Sequence, residues 1–316
     1  MLICELDQTR HDSRESLHKH LKGKLRQDSY YQTYHPRFDL ADGRPIPFKT
    51  VDQYLSSDFV DKNSLKKWLK TDSPEARTWA IGWLKRRKDE KSLVYAPSEV
   101  KLRTLMAPSM DYYNRIGGYY TIAKGLGFKD RYTDEAPVFA PLPDTASFIA
   151  DTREQSPINL PFKTARGTLN VGDYALAAPH DNGIRVERKS LSDFCGTLSD
   201  RAILKKGQPS DQTPLKRFEA ELTRAQTANL YVVMAVECDI NTAQSFSYLP
   251  HMRHVKASPA YILKNLRDLL VKYPLHFQAV FIDGRIDMAQ KIPRIFQLGE
   301  QVKRLDLQHL LEKGVL

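Results

Sequence analysis

The stretch that decides the fold consists of residues 172–174 (GDY) and, after a turn, residues 186–189 (VERK). Asp173 and Glu187 are 14 residues apart (187 − 173), which fits two adjacent strands joined by a turn. Residues 179–183 (PHDNG) are typical of such a turn. Residues on both sides of the turn alternate between two faces, as half-buried strands require. The sequence therefore predicts a hairpin that carries one acid on each strand.

The second strand of this hairpin carries an acid and a lysine two residues apart. Side chains on a strand repeat every two residues, so Glu187 and Lys189 are expected to share a face. That face can hold two carboxylates around a hard divalent cation, with a lysine beside the attacking water. Mg²⁺ favours oxygen ligands and keeps several waters. Such an ion stabilises the charge that grows on a phosphodiester and lowers the pKa of a bound water.

Four motifs follow one another in a fixed order along residues 151–201. They are Asp-x-Arg-Glu at 151–154, Gly-Asp-Tyr at 172–174, Glu-Arg-Lys-x-x-x-Asp at 187–193, and Arg201. This series resembles the XPF-type nuclease domain, a branch of the PD-(D/E)xK nucleases that cuts branched or flapped DNA. The resemblance covers roughly residues 145–316, and it rests on the whole ordered set, because Glu-x-Lys alone is not specific. It implies an α/β, restriction-endonuclease-like nuclease core.

The resemblance also implies a role for each matching residue. Asp173 and Glu187 correspond to the metal-binding acids, and Lys189 corresponds to the catalytic lysine. Asp151 and Glu154 match an upstream acidic pair that borders the same site, and one or the other would complete the metal shell directly or through water. The remaining catalytic-signature and basic DNA-binding positions are Arg188, Asp193, Arg153 and Arg201. The implied ion is Mg²⁺, with Mn²⁺ as the alternative.

Some of these residues also fit simpler structural roles. Asp193 lies three residues after Ser190 and just ahead of Phe194, so it also fits a helix capping box. The two roles are compatible. Glu237 follows a predicted strand and is either a further ligand or, as we favour, a carboxylate at the edge of the sheet.

Length, composition and charge limit the class of protein. A chain of 316 residues with 41% hydrophobic residues predicts two domains with real cores. We expect no membrane segment, since no apolar run approaches about 18 residues. The N-terminus lacks a secretory signal pattern, so the expected location is intracellular, either cytoplasmic or nucleoid-associated or nuclear. A net charge of +10 fits a polyanionic partner such as DNA.

The cysteines and histidines near the N-terminus include residue types that bind metal ions. Three scattered cysteines form no CxxC pair and are too few for a disulfide framework. Cys4 with His11, His18 and His20 contains the right residue types for zinc, but the spacing of this set fits no common finger. We therefore predict no zinc site there.

The predicted domain organisation places the nuclease domain last. Residues 1–135 are expected to form a basic, mostly helical DNA-binding domain. Residues 136–144 contain three prolines and are expected to form a linker, which leads to the nuclease domain at 145–316. Residues 62–103 contain twelve Lys/Arg against five Asp/Glu, a local charge of +7 (12 − 5). Within them, the run Lys85, Arg86, Arg87 and Lys88 fits either a phosphate-contacting face or an ordinary solvated helix face.

The pattern of apolar residues predicts alternating strands and helices in the nuclease domain. The predicted strands lie at 147–150, 230–236 and 277–282. Helices are predicted at 191–204, 216–225, 259–273, 288–298 and 307–313, and residues 160–168 are predicted to form a loop.

These observations favour a metal-dependent DNA endonuclease with one active site per chain, which nicks one strand of branched or flapped DNA. Many XPF-type proteins carry helix-hairpin-helix modules after the nuclease domain, and this chain shows none. Both the preference for branched DNA and a homodimeric or heterodimeric arrangement through the nuclease domain therefore stay open. One alternative is a sequence-specific nicking endonuclease guided by the N-terminal domain, and another is a non-catalytic DNA-binding module.

Overall fold

The computed structural model of the protein describes residues 2–34, 67–91, 93–104, 107–129, 136–199, 213–246 and 259–316. The chain forms two compact units: Met1–Trp83 with Leu105–Ile116, and Leu84–Thr104 with Gly117–Leu316. Across the described ranges, no helix is both long enough and apolar enough to cross a membrane.

The first unit begins with a small ββα arrangement. Strands β1 (Leu2–Ile3) and β2 (Arg10–His11) pair antiparallel, and helix α1 (Arg14–Leu21) follows. Ser13 caps α1, because its side chain accepts a hydrogen bond from the Ser16 amide. Helix α2 (Gln27–Tyr34) completes a small core. The buried side chains of that core are Cys4, Leu17, Leu21, Tyr30 and Tyr31.

Further helices with described bounds precede the large sheet of the second unit. They are α3 (Pro74–Lys91), α4 (Glu99–Thr104), α5 (Met110–Ile116) and α6 (Tyr119–Gly125). The start of α3 is capped by Ser73, whose hydroxyl oxygen accepts from the Ala76 amide at 3.1 Å. Between α5 and α6, Gly117 and Gly118 have φ angles of 146° and 88°, a backbone conformation that suits glycine and ends the first helix.

A mixed six-stranded sheet forms the centre of the second unit. Its strands are β3 (Phe148–Asp151), β4 (Thr164–Gly167), β5 (Tyr174–Leu176), β6 (Ile184–Lys189), β7 (Tyr231–Val236) and β8 (Phe277–Phe281). Their order across the sheet is β4-β3-β5-β6-β7-β8. The β3–β5 and β5–β6 pairs are antiparallel, and the β3–β4, β6–β7 and β7–β8 pairs are parallel.

Helices cover both faces of this sheet. The helices are α7 (Leu191–Thr197), α8 (Pro214–Thr227), α9 (Ile240–Ser245), α10 (Pro259–Lys272), α11 (Arg285–Gln297) and α12 (Leu307–Glu312), with a 3₁₀ helix at Gly299–Lys303. On β7, Val232, Met234 and Val236 pack with residues of α8 and α10, and we name this side the first face. Tyr231, Val233 and Ala235 pack with residues of α11, on the second face. The alternation follows from the two-residue repeat of a strand and gives an α/β/α sandwich.

Most of the predicted elements are present, with two corrections. The predicted hairpin is confirmed, since Tyr174 on β5 pairs with Val186 on β6 in antiparallel register. Residues 164–167 were predicted to be part of a loop but form edge strand β4 beside β3. The helix predicted at 191–204 ends at Thr197, and residues 200–204 of that prediction lie outside the described residues.

The proline-rich segment at 136–144 is held by hydrogen bonds within the second unit. The Ala140 amide donates to the Gln297 carbonyl at 3.0 Å. Val138 exchanges two hydrogen bonds with the Gln301 side chain, at 3.0 and 2.8 Å. These bonds fix the segment beside the end of α11.

Candidate active site

The turn that leads into β5 positions Asp173. Gly172 has a φ of 73°, and a Cβ at this position would lie 3.0 Å from the Arg185 Cβ and 3.3 Å from the Val186 carbonyl oxygen. Only glycine fits so close to β6 with this backbone angle. Asp173 is then held by its own backbone, which donates to the Val186 carbonyl and accepts from the Asp151 amide, both at 2.8 Å.

The alternation along β6 separates its charged side chains onto the two faces. Ile184 and Val186 belong to the core of the second face. Glu187 and Lys189 therefore lie on the first face, and their side chains form an ion pair. Arg188 extends to the second face, while its backbone amide donates to the Asp173 carboxylate at 2.8 Å. One strand thus supplies charged groups to both sides of the sheet.

On the first face, three carboxylates gather around one ammonium group. They belong to Asp173, Glu187 and Glu221 of α8, and the Glu221 carboxylate accepts from the Gly172 amide at 2.9 Å. Burial raises the pKa of Glu187 above its ordinary value; the nearby Lys189 opposes the rise, and the charges of Asp173 and Glu221 add to it. Burial likewise raises the pKa of Asp173, opposed by Lys189 and by the Arg188 amide. We call these four residues the acidic cluster.

The lysine of the acidic cluster remains protonated at neutral pH. Burial lowers the pKa of Lys189, but the attraction of Glu187 is strong enough that the pKa is raised overall. An ammonium group is a donor and a positive charge, and it has no lone pair to accept a proton. Lys189 is therefore suited to orient an oxygen or to offset negative charge.

The acidic cluster fits a divalent cation that keeps part of its water shell. Three carboxylates against one ammonium leave excess negative charge in a largely buried place, and a divalent ion would compensate it. In the part of the chain that the structure describes, no three ligand atoms of this cluster lie within 4.8 Å of one another. Two protein carboxylates with waters and substrate oxygens are the usual environment of Mg²⁺.

Asp151 supports the site from the neighbouring strand. Its buried carboxylate accepts from the Arg153 amide and Nε at 2.8 and 2.7 Å, and from the Leu169 amide at 2.6 Å. Burial raises the pKa of Asp151, but these hydrogen bonds outweigh it and hold the pKa below its usual range. Asp151 therefore fixes the loop at 169 and, through its own amide, the backbone of Asp173. Arg153 is 70% exposed while it holds Asp151.

Glu154 lies with Arg188 in a network on the second face. The Glu154 carboxylate accepts from the Ser156 amide at 2.7 Å and lies 3.6 Å from an Arg188 nitrogen. Arg188 also donates through Nε to Glu237 at 3.0 Å, and Arg285 approaches Glu237 at 3.5 Å. Glu237 is thus an edge carboxylate that holds Arg188. The network braces β6 against the end of β7 and the start of α11.

Asp193 lies in the first turn of α7 and outside the acidic cluster. Its amide donates to the Ser190 hydroxyl at 3.1 Å, and the same hydroxyl donates back to the Asp193 carboxylate at 2.7 Å. This exchange is a helix N-cap, as the capping interpretation predicted. Arg201, which the resemblance placed among the basic positions, lies outside the described residues.

The four basic side chains of the predicted DNA-contacting run on α3 differ in how exposed they are and in what they contact. Lys85 is exposed and pairs with Asp89 at 2.6 Å, and Arg86 is exposed beside it. Arg87 is half-buried. Lys88 donates to the Leu126 carbonyl at 2.8 Å and lies over the Phe128 ring, so it packs within the second unit. Of the four side chains, those of Lys85 and Arg86 are exposed.

Glu221 was not predicted from the sequence, although a signal was present. In α8, the buried residues Phe218, Leu222 and Ala225 follow a helical repeat, and Glu221 occupies an inward position of that repeat. An acid on the apolar side of an amphipathic helix needs a partner, and here the partner is the Gly172 amide.

The fold and the acidic cluster together define the class of this domain. The mixed α/β sheet with helices on both faces has the nuclease-core fold of the PD-(D/E)xK type. Residues 150–295 match the family model of the ERCC4 domain, so this part of the chain is an XPF-type nuclease domain. The family consists of structure-specific DNA endonucleases, and its nucleases generally depend on a divalent metal ion.

The chain was also compared with solved structures and with curated proteins. Among solved structures, the chain is similar to XPF from Aeropyrum pernix, with 20% sequence identity and a TM-score of 0.32. That match covers 53% of this chain and 68% of the other. No curated protein matches the chain.

Proposed function

We propose that the protein is a Mg²⁺-dependent DNA endonuclease with one active site per chain, which nicks one strand of branched or flapped DNA. The observation that supports this most strongly is the acidic cluster, because the buried Glu187, the half-buried Asp173 and the protonated Lys189 share one face at the end of two adjacent strands. Within an ERCC4 domain, this cluster supplies the groups that metal-assisted hydrolysis needs.

Each residue of the acidic cluster has a proposed task. Asp173 and Glu187 hold the metal ion, which when bound supplies charge stabilisation at the phosphate and a more acidic water. Lys189 donates a hydrogen bond to the attacking water or to a phosphate oxygen and offsets the charge of the transition state. Glu221 fixes the turn at Gly172 and adds to the negative potential that attracts the cation.

The supporting residues act through these groups. Asp151 and Arg153 hold the backbone on which Asp173 depends, and the exposed guanidinium of Arg153 is in a position to meet a phosphate. Glu154 and Arg188 fix β6 from the second face. One site hydrolyses one strand, so a double-strand break requires a second subunit or a second encounter.

A plasmid assay tests the proposal directly. Purified protein is incubated with supercoiled plasmid and with flapped and forked oligonucleotide duplexes, each in Mg²⁺ and in Mn²⁺. We expect single-strand cleavage by the wild type, none by Asp173→Ala, and cleavage that is about 10²–10³-fold slower by Lys189→Met. Glu300→Gln is the control, since it removes the charge of an exposed acid outside the acidic cluster and should leave cleavage within a few-fold of the wild type.

The substrate panel also separates the alternatives. Faster cleavage of flapped or forked DNA, with cuts near the branch whatever the sequence, supports the proposal. Cuts at one fixed sequence in unbranched DNA favour the nicking endonuclease guided by the N-terminal region. Tight binding without cleavage of any substrate in either metal overturns the enzymatic proposal and favours a binding module.

A further inference from the structure

The first 24 residues follow a known spacing with two unusual residues in it. Cys4, Asp7, His20 and Lys24 are separated by two, twelve and three residues. The C₂H₂ zinc finger spaces its ligands as C-x₂₋₄-C-x₁₂-H-x₃₋₅-H. In this chain an aspartate holds the second cysteine position and a lysine holds the second histidine position. The set considered from the sequence, Cys4 with three histidines, does not include these two residues.

The backbone follows the same plan. Zinc fingers of this type fold as two strands and a helix. Here β1 and β2 pair antiparallel, and α1 follows directly. Cys4 and Asp7 lie in the turn between the strands, His20 lies in the last turn of α1, and Lys24 follows the helix. Each of the four residues thus occupies the part of the fold that carries a zinc ligand.

The four side chains also meet in space. The ligand atoms of Cys4, Asp7 and His20 all lie within 4.8 Å of one another. The Asp7 carboxylate is 2.7 Å from the Nε2 atom of His20. The Lys24 ammonium lies 2.9 Å from the Asp7 carboxylate and 3.0 Å from His20 Nε2. The positive group of Lys24 therefore lies among the groups that would otherwise surround a metal ion.

We propose that residues 2–24 are a ββα finger in which the Lys24 ammonium takes the place of Zn²⁺. A protonated lysine offers donors and no lone pair, so it cannot complete a ligand set. It does offer a positive charge to the carboxylate and the imidazole nitrogen beside it. This inference concerns a site distant in sequence from the acidic cluster and stands whether or not the chain is a nuclease.

The hydrophobic core of this small unit supplies folding stability that a structural metal ion usually contributes. Small zinc fingers depend on the ion for folding, because their cores are too small. Here α2 adds buried Tyr30 and Tyr31 to the core formed by Cys4 and Leu17. The Tyr30 hydroxyl also accepts from the Glu5 amide at 2.9 Å and so ties the turn between the strands to α2. Cys4 itself is fully buried and acts as a small core residue.

The proposal predicts that two substitutions convert the finger into a metal site. Full-length wild type and the Asp7→Cys/Lys24→His variant are titrated with Co²⁺, in excess Mg²⁺ to occupy the acidic cluster. We expect a thiolate-to-cobalt absorption band at one equivalent in the variant and none in the wild type. Zn²⁺ should then raise the melting temperature of the variant and leave that of the wild type unchanged. Cys4→Ser in the variant background is the control, and it should weaken metal binding because it removes one of the four ligands.

Two results would overturn the proposal. A cobalt–thiolate band in the wild type that Cys4→Ser removes would overturn the proposal, because it would show that the native finger binds a metal. Absence of any band in the double variant would overturn it as well, since the finger geometry would then be wrong. If the double variant does not fold, Lys24→His alone carries the same test, because Lys24 is 46% exposed and its replacement disturbs no core.

Discussion

Lys189 is the residue whose chemistry depends most on its immediate neighbours. The attraction of Glu187 keeps it protonated despite burial, so we assign it an electrostatic task at the site. We predict that Lys189→Met lowers kcat about 10²–10³-fold, the usual cost of removing one preorganised donor from a transition state. The KM for DNA should change little. A loss confined to KM in steady-state cleavage of a flapped duplex would contradict this role.

Glu221 offers a test in which charge and hydrogen bonding are separated. Glu221→Gln keeps an acceptor for the Gly172 amide and removes the negative charge, whereas Glu221→Ala removes both. We predict that Glu221→Gln raises the Mg²⁺ concentration for half-maximal cleavage several-fold with little change in melting temperature. Glu221→Ala should raise it too and also lower the melting temperature by a few degrees. An unchanged Mg²⁺ requirement in both variants would limit Glu221 to a structural role.

At the scale of single residues, the sequence predicted those parts of the site that lie close together along one hairpin. Asp173, Glu187 and Lys189 could be found because strand periodicity fixes which side chains share a face. Glu221 could not be assigned, since its place depends on how α8 packs on the sheet. Asp7 and Lys24 were missed for a different reason: neither is the cysteine or histidine that a C₂H₂ finger has at that position.

Among the elements, the turn before β5 has the most restrictive geometry. A Cβ at Gly172 would meet Arg185 and the Val186 carbonyl oxygen, and the φ of 73° adds strain for any other residue. We predict that Gly172→Ala lowers the free energy of unfolding by about 1–3 kcal/mol. It should also reduce cleavage, because Asp173 is the next residue.

Gly196 is the matched control for that substitution. It lies inside α7, and a Cβ there has no heavy atom within 4 Å. Gly196→Ala should therefore be neutral or stabilise the protein by about 0.5–1 kcal/mol. Equal effects of the two substitutions in urea titrations would show that the turn is not the restrictive element.

Helix α4 carries a buried acid that makes stability depend on pH. Burial, with the nearby charges of Asp306 and Glu312, raises the pKa of Glu99 to about 7, although Arg103 opposes the rise. Within the described structure, the Oε2 atom of Glu99 has no hydrogen-bond partner. The folded protein therefore holds a proton on Glu99 that the unfolded chain, with an ordinary glutamate pKa, releases at lower pH.

The sign of the effect follows from that difference. As pH rises from the ordinary value of 4.5 through about 7, the folded state loses stability relative to the unfolded chain. Each pKa unit corresponds to about 1.4 kcal/mol, so the loss reaches roughly 3 kcal/mol at most. Glu99→Gln should remove this loss and be more stable than the wild type at pH 8. Glu300→Gln on the exposed surface is the control, and parallel pH profiles for the wild type and Glu99→Gln in urea titrations would contradict the prediction.

The elements that the sequence missed lack a strong signal of their own. Strand β4 has mostly exposed side chains without apolar alternation, and it is a strand because β3 offers a partner. The predicted extension of α7 beyond Thr197 relied on periodicity, which does not show where a helix stops. Strands β7 and β8 were predicted well, because strands buried on both faces form continuous apolar runs.

For the molecule as a whole, the net charge of +10 predicts DNA binding that weakens with salt. Lys85→Ala/Arg86→Ala should reduce the slope of log affinity against log salt by about 0.9 for each phosphate that the variant no longer neutralises. Lys88→Ala is the comparison, because its ammonium is bound to the Leu126 carbonyl. It should lower the melting temperature and leave the slope unchanged. An unaltered slope in the double variant would exclude this face from DNA binding.

Strand β6 carries functional side chains on both faces of the sheet, and this limits how its sequence can change during evolution. Glu187 and Lys189 serve the acidic cluster, while Arg188 between them serves the network with Glu154 on the other side of the sheet. Inserting or deleting a single codon in β6 before Glu187 would move each following side chain to the opposite face of the sheet. Arg188 would then lie among the acids of the first face, and Glu187 and Lys189 would lie on the second face beside Glu154. Single substitutions in β6 can be tolerated, but insertions and deletions in this strand cannot. Homologous sequences should therefore align across this strand without gaps.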